Sequence, residues 1–260
     1  MDRFVFIVFS LLINLLISKH GLAYTLPDNS LTPVIVYHSL SGMIATEQQS
    51  PLLTVFPDGQ IIAGSPSGLE EEVKASISSQ QLQALLEEVI QQYHFFDINT
   101  EAILQQITKQ QDTSNKFYGL MDSNVVSILI TLKEHTKKQQ FYGLSETARQ
   151  FPEVNHLTDL AAIQAKLNKL RHWILVGEER GLTQALALAN QQLQQKYPAV
   201  PVLTVDDFNM ATRHIDGKRT VYFQRQHINN NTGKVDGYIS VYNYYDKKGI
   251  VDIVVTVHSN

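Results

Sequence analysis

Histidine has the widest chemical reach of the residue types in this chain, as a metal ligand and as an acid or base near neutral pH. Eight of the nine histidines lie beyond residue 23: His38, His94, His135, His156, His172, His214, His227 and His258. Their spacing assembles nothing locally. There is no His-Glu-x-x-His pair, no cysteine to complete a zinc set, and no short segment in which histidines and a carboxylate form a triplet. His214 and His227 flank one expected hairpin, where a surface or half-buried pair is the reading. Ser39 and Ser41 stand near His38 without the Gly-x-Ser-x-Gly elbow that exposes a nucleophile. The sequence therefore assigns no catalytic residue, no metal ligand and no cofactor.

The acidic and polar runs read as structure. Glu70-Glu71-Glu72 precedes an expected helix, whose dipole favours negative charge at that end. Asp206-Asp207 falls at a strand or bulge and reads as ordinary. The run from Asn229 to Asp236 has the loose outline of a calcium loop but lacks its terminal bidentate glutamate, so it reads as a long polar hairpin turn. Asn230-Asn231-Thr232 is also a glycosylation sequon, incidental outside a eukaryotic secretory path.

Aromatic residues offer a different chemistry. Tyr238, Tyr242, Tyr244 and Tyr245 crowd one expected strand, with Tyr222 and Phe223 on its neighbour. Strand alternation puts Tyr238, Tyr242 and Tyr244 on one face and Ile239, Val241 and Tyr245 on the other. The apolar set should meet a helix. Tyr222, Tyr238, Tyr242 and Tyr244 then form a candidate binding face, because tyrosine combines area with a polar tip. Cross-strand stacking on a solvated sheet is the plainer alternative.

The elements that position these residues fall into two segments. Val34 to His38, Leu52 to Phe56 and Gln60 to Ala63 read as strands, the last two joined by the tight turn Pro57-Asp58-Gly59. Ser78 and Gln81 stand in capping-box spacing before a helix striped by Leu82, Leu85, Leu86, Val89, Ile90 and Tyr93. Phe95 and Phe96 close over the core. Val125 to Leu132 and Lys138 to Tyr142 form a second hairpin, and a closing helix runs from about Asp159 to Trp173. Gly177-Glu178-Glu179-Arg180-Gly181 suits an exposed connection. Beyond it, a helix carrying Leu182, Leu186, Ala189, Leu193 and Tyr197 stops at Pro198. Four strands follow: Val202 to Ile215, Thr220 to Ile228, Tyr238 to Tyr245 and Ile250 to His258. Their short connections force antiparallel neighbours.

These segments define an α+β chain: a signal segment over 1–23, a flexible lead-in over 24–33, an N-terminal α+β domain over 34–176, a linker over 177–181, and a helix on a four-stranded antiparallel sheet over 182–260. The start is charged, Phe4 to Ile17 is apolar, and Gly21-Leu22-Ala23 is a small-residue exit, so the expectation is export with cleavage after Ala23. An uncleaved anchor is the alternative, although the run falls short of the roughly 20 apolar residues that span a bilayer. Without cysteine neither disulfides nor a cysteine-linked lipid is available, which fits a bacterial periplasm or medium. Removing Arg3, Lys19 and Asp2 from 21 basic and 25 acidic residues leaves 19 and 24, a net charge of −5. No clustered basic face remains for nucleic acid, since Lys137-Lys138 and Lys247-Lys248 are pairs at turns.

Pro57-Asp58-Gly59, the Ser-headed helix Ser78 to Leu86, Phe95-Phe96, Tyr142-Gly143-Leu144 and Phe151-Pro152-Glu153 occur in an order that resembles a group of exported bacterial domains with no assigned activity. The likeness covers about residues 50–172 and implies a fold and no chemistry. The C-terminal helix and four strands look like the cystatin or NTF2-like folds and the small PepSY modules of exported bacterial proteins. The Gln-x-Val-x-Gly hairpin of inhibitory cystatins is replaced by Ile215-Asp216-Gly217-Lys218-Arg219, and no Pro-Trp pair follows. The functional expectation is an exported, non-catalytic module that binds an unknown protein or small molecule through the C-terminal sheet face, with no nucleic-acid partner and no membrane contact after cleavage. An enzyme or metalloprotein with a site built from dispersed histidines and carboxylates is the first alternative. An envelope scaffold subunit is the second.

Overall fold

A computed structural model describes residues 23–41, 50–64, 71–114, 123–198, 200–228, 235–246 and 249–259. The expected signal segment up to Leu22, the polar run 229–234 and the pair Lys247-Lys248 lie outside the described residues. Alternating apolar residues build two antiparallel sheets. The first contains β1 (Ile35–Ser41), β2 (Leu53–Val55), β3 (Gln60–Ala63), β4 (Val73–Ser76), β5 (Asn124–Thr131) and β6 (Thr136–Tyr142) in the order β4-β3-β2-β1-β5-β6. At the β2–β3 turn the Asp58 carboxylate accepts the Gln60 N–H at 2.9 Å. Gly59 sits at φ 83°, and a β-carbon there would lie 2.1 Å from the Ile77 carbonyl oxygen. Only glycine fits that turn.

Helix α1 (Ser79–Glu87) starts from the expected capping box, in which Ser78 accepts the Gln81 N–H and the Gln81 side chain accepts the Ser78 N–H. It buries Leu82, Leu85 and Leu86, then widens into a π-helical turn over Glu88–Gln92. Phe95 is fully buried behind it, and Phe96 packs edge-on against Phe95. Helix α2 (Thr100–Ser114), strand β4 and helix α3 (Leu144–Gln150) add to the elements expected from sequence. Helix α4 (Leu157–Val176) is longer at both ends than the periodicity suggested, because Leu157 and Val176 are both buried.

The second sheet has the order β10-β9-β8-β7, with β7 at Phe208–Arg213, β8 at Arg219–Ile228, β9 at Val235–Asp246 and β10 at Gly249–Ser259. Helix α5 (Glu178–Lys196) lies on it through Leu182, Ala185, Ala189 and Leu193. The chain is thus α+β, with a helix on a four-stranded antiparallel sheet. One continuous apolar cluster runs through both sheets, and α4 touches β3 and β4 on one side and β7 on the other. No helix among the described residues is long and apolar enough to cross a membrane.

Three local expectations are corrected. The 24–33 lead-in is tied down: Tyr24 exchanges two hydrogen bonds with the Gln83 amide, Lys133 donates its N–H to the Thr25 carbonyl, and Leu26 packs on the core. Residues 177–181 are not an open linker. Gly177, at φ 94°, turns the chain directly from α4 into α5, and Gly181 packs so closely on the Val176 carbonyl that a β-carbon would lie 1.9 Å from it. The strand expected from Val202 begins only at Phe208. Before it, Asp207 accepts the Thr204 N–H and ends a short 3-10 turn over Val205–Asp207.

Candidate functional site

The fold brings His94 to a pair that stands three positions apart at the start of one helix, His156 and Asp159. His94 follows the π-helical turn, and the buried Phe95 fixes the chain beyond it. His156 sits between buried Val154 and Leu157 and leads into α4. Asp159 is in the first turn of that helix. Both histidines adopt left-handed backbone conformations, with φ 52° and 61°, and among the described residues Glu178 alone joins them as a non-glycine with positive φ. Such conformations cost energy, are tolerated by histidine better than by most residues, and cluster at functional sites.

The geometry converges on one oxygen. His156 Nδ1 is 3.2 Å and His94 Nδ1 3.8 Å from Asp159 Oδ2, and one donor atom from each residue lies within 4.8 Å of the other two. The imidazole rings meet edge to face at 6.0 Å between centroids. Tetrahedral zinc with ligands at about 2.0–2.1 Å separates its ligand atoms by about 3.3 Å, so small side-chain rotations close this set around an ion. The His94 side chain is 51% exposed, which gives an ion a route from solvent. Three protein ligands would leave a coordination position open.

The surroundings are polar and ordered. Glu88, from the π-helical turn, pairs with Lys166 of α4 at 2.5 Å and accepts a hydrogen bond from the Tyr93 hydroxyl at 3.4 Å. Burial, then the charges of Glu88 and Asp159, push the Tyr93 phenol above its ordinary range. These contacts hold the end of α1 against α4. The two histidines are therefore positioned by the same packing that joins the helices.

The tyrosine face forms as alternation predicts. Ile239, Val241 and Tyr245 are buried, whereas Tyr238 and Tyr244 are 37% and 39% exposed on the opposite side. Tyr222 lies directly across from Tyr242, with its ring stacked at 4.3 Å, and Tyr244 stacks on Tyr242 at 6.2 Å. The Tyr222 hydroxyl also meets Ser240 Oγ at 3.3 Å, and Tyr222 is buried. The aromatic faces are thus spent largely on each other. What remains available is the outer face of Tyr244, Tyr238 and the neighbouring Val254.

The other candidates do not assemble. His38 is half-buried with Nδ1 unpartnered, and burial, then Lys138, lowers its pKa. His172 is held at the α4–β7 junction, its Nδ1 3.0 Å from the Ala211 carbonyl. His214 is exposed in the β7–β8 turn, and the side chains of His227 and His258 lie outside the described set. His135 packs near Phe96. Asp207 is far from the ordinary acid that its sequence suggested: it is buried and receives both Nε and a terminal nitrogen of Arg225. The signal for His94 and His156 was faint, each standing at a helix boundary. Their meeting depends on how α1 packs beside α4. Comparison with protein-family models, curated proteins and solved structures finds no match to this chain.

Proposed function

We propose that this is an exported protein that binds a divalent transition-metal ion, with zinc as the best chemical fit, through His94, His156 and Asp159. The observation that carries the reading is the approach of His94, from the end of the π-helical turn, to the His156 and Asp159 pair at the start of α4, where both imidazoles meet one carboxylate oxygen. Two nitrogens and one oxygen suit zinc and its borderline neighbours, whereas calcium and magnesium prefer all-oxygen sets. When bound, the ion supplies Lewis acidity at its open position. The protein supplies rigid placement and a solvent-facing approach. The test is titration of Zn2+ into metal-stripped protein, followed by calorimetry. One ion per chain is expected, with affinity reduced at least about tenfold in His156→Ala and in Asp159→Asn. Affinity unchanged in both variants contradicts the site.

Export carries its own expectation. The product recovered from a bacterial periplasm or medium should begin at Tyr24, as read by N-terminal sequencing, and a product that keeps residues 1–23 would place the protein on a membrane anchor instead.

A second reading keeps the C-terminal sheet as a contact surface for a protein or small molecule, favoured by the shared exposure of Tyr238, Tyr244 and Val254. If Tyr242→Ala and Tyr244→Ala leave every partner recovered from envelope extracts still bound, that reading fails.

A further inference from the structure

Two sheets have four edge strands, and the protein treats one of them differently. A bare strand edge offers unpaired N–H and C=O groups to another strand, and proteins block it with short length, lysine, proline or a covering element. Strand β4 has four residues, carries Lys74 and lies against α4. Strand β6 carries Lys137 and Lys138, with α2 alongside. Strand β7 has its outer backbone groups engaged: His172 Nδ1 is 3.0 Å from the Ala211 carbonyl, and the Glu71 N–H donates to the Arg213 carbonyl at 2.9 Å. Strand β10 carries less of this protection among the described residues: α5 touches it across the sheet face, and a register irregularity lies near one end. It has eleven residues, no proline, lysine or arginine, and Asp252 as its single acidic residue. Among the described residues, its hydrogen bonds are made within its own sheet, to β9.

From this asymmetry we infer that β10 pairs antiparallel with β10 of a second copy across a two-fold axis at Val254, joining two four-stranded sheets into one of eight strands. The strand is complementary to itself in that register. Val254 is its midpoint, so the whole length from Gly249 to Ser259 is used. Ile253 faces Val255 of the second copy, extending the inner apolar layer. Asp252 faces Thr256, so the two like charges stay apart.

The outer face favours the same axis. Met210, Tyr222, Tyr242 and Val254 lie directly across from one another in successive strands, a row that runs to the edge and stops at Val254, which is 37% exposed. In the dimer the row continues through Val254 of the second copy. A register irregularity between Ile250 and Asp252 lies at one end and leaves the centre regular. This inference stands independently of the metal site.

Sedimentation of the exported protein tests it, together with Val254→Lys, which sets two ammonium groups against each other at the axis. The natural chain should sediment as a dimer, and the variant should dissociate at least about tenfold more readily. Because the chain has no cysteine, Val254→Cys gives a second readout that needs no loss of stability. Mild oxidation should cross-link it efficiently, unlike Ile215→Cys at the exposed β7–β8 turn. A monomer at every concentration, a dimer that Val254→Lys leaves intact, or cross-linking no faster at 254 than at 215 overturns the inference.

Discussion

At the scale of single residues, partnership decides what a polar side chain does. Asp207 and Arg225 form a two-pronged ion pair with little exposure, and the Asp207 carboxylate also accepts the Thr204 N–H and hydroxyl. Removing the cation strands a buried charge, so Arg225→Ala should destabilise the protein by about 3 kcal/mol. Urea unfolding measures this, and a loss below about 1 kcal/mol would place Asp207 in far better contact with water than its burial indicates. Sequence could not distinguish Asp207 from its exposed neighbour Asp206, because the distinguishing partner lies on β8. The same dependence on distant partners hid the meeting of His94 with His156 and Asp159. His94 and Asp159 are ordinary residues until the elements that carry them touch.

At the scale of elements, signals that are local in origin were legible and signals that depend on neighbours were not. The capping box at Ser78, the Asp58-Gly59 turn and the face assignment of β9 follow from contacts within a few residues. Helix α2 escaped notice because its buried stripe is thin, resting on Ile103 and Ile107, while Leu104 is left outside. Strand β4 is short, with Val73 and Ala75 only half-buried and Lys74 and Ser76 exposed. The 177–181 segment misled for a clearer reason. Its glycines look like those of a loop, yet Gly181 is helical and serves close approach to the Val176 carbonyl. Glycine to alanine inside a helix normally stabilises by up to about 1 kcal/mol. Gly181→Ala should do the reverse and lower the thermal midpoint, whereas a raised midpoint would mean that the α4–α5 corner tolerates a β-carbon.

At the scale of the whole molecule, α4 is the element on which the two sheets and the proposed metal site depend. Its first turn carries Asp159 and its last turns form a joint to both sheets, where Arg171 Nε donates to the Gly64 carbonyl just after β3 at 2.9 Å and Arg213 Nε of β7 to the Leu175 carbonyl at 2.8 Å. His172 belongs to this joint. Burial, followed by the Arg171 charge, lowers its pKa from 6.5 to about 4 against the opposing effect of the Ala211 carbonyl. Folding therefore keeps the ring neutral. The unfolded chain takes up the proton first as pH falls, so His172 costs no stability above pH 6.5 and progressively more down to about 4, on the order of 3 kcal/mol in full. Urea midpoints compared at pH 7.5 and pH 4.5 should converge more for His172→Gln than for the natural chain, and equal slopes would deny this role. The broad plan, a helix over a four-stranded antiparallel sheet, was readable from stripes and alternation alone, while the α4 joint was not, since its bonds connect residues 107, 39 and 38 positions apart. The site stands or falls on whether His94, His156 and Asp159 together hold one ion. Anomalous diffraction from crystals grown with Zn2+ tests it most directly. A single strong peak is expected about 2.0–2.2 Å from His94 Nδ1, His156 Nδ1 and Asp159 Oδ2, and a peak elsewhere, or none at these three atoms, would contradict the site.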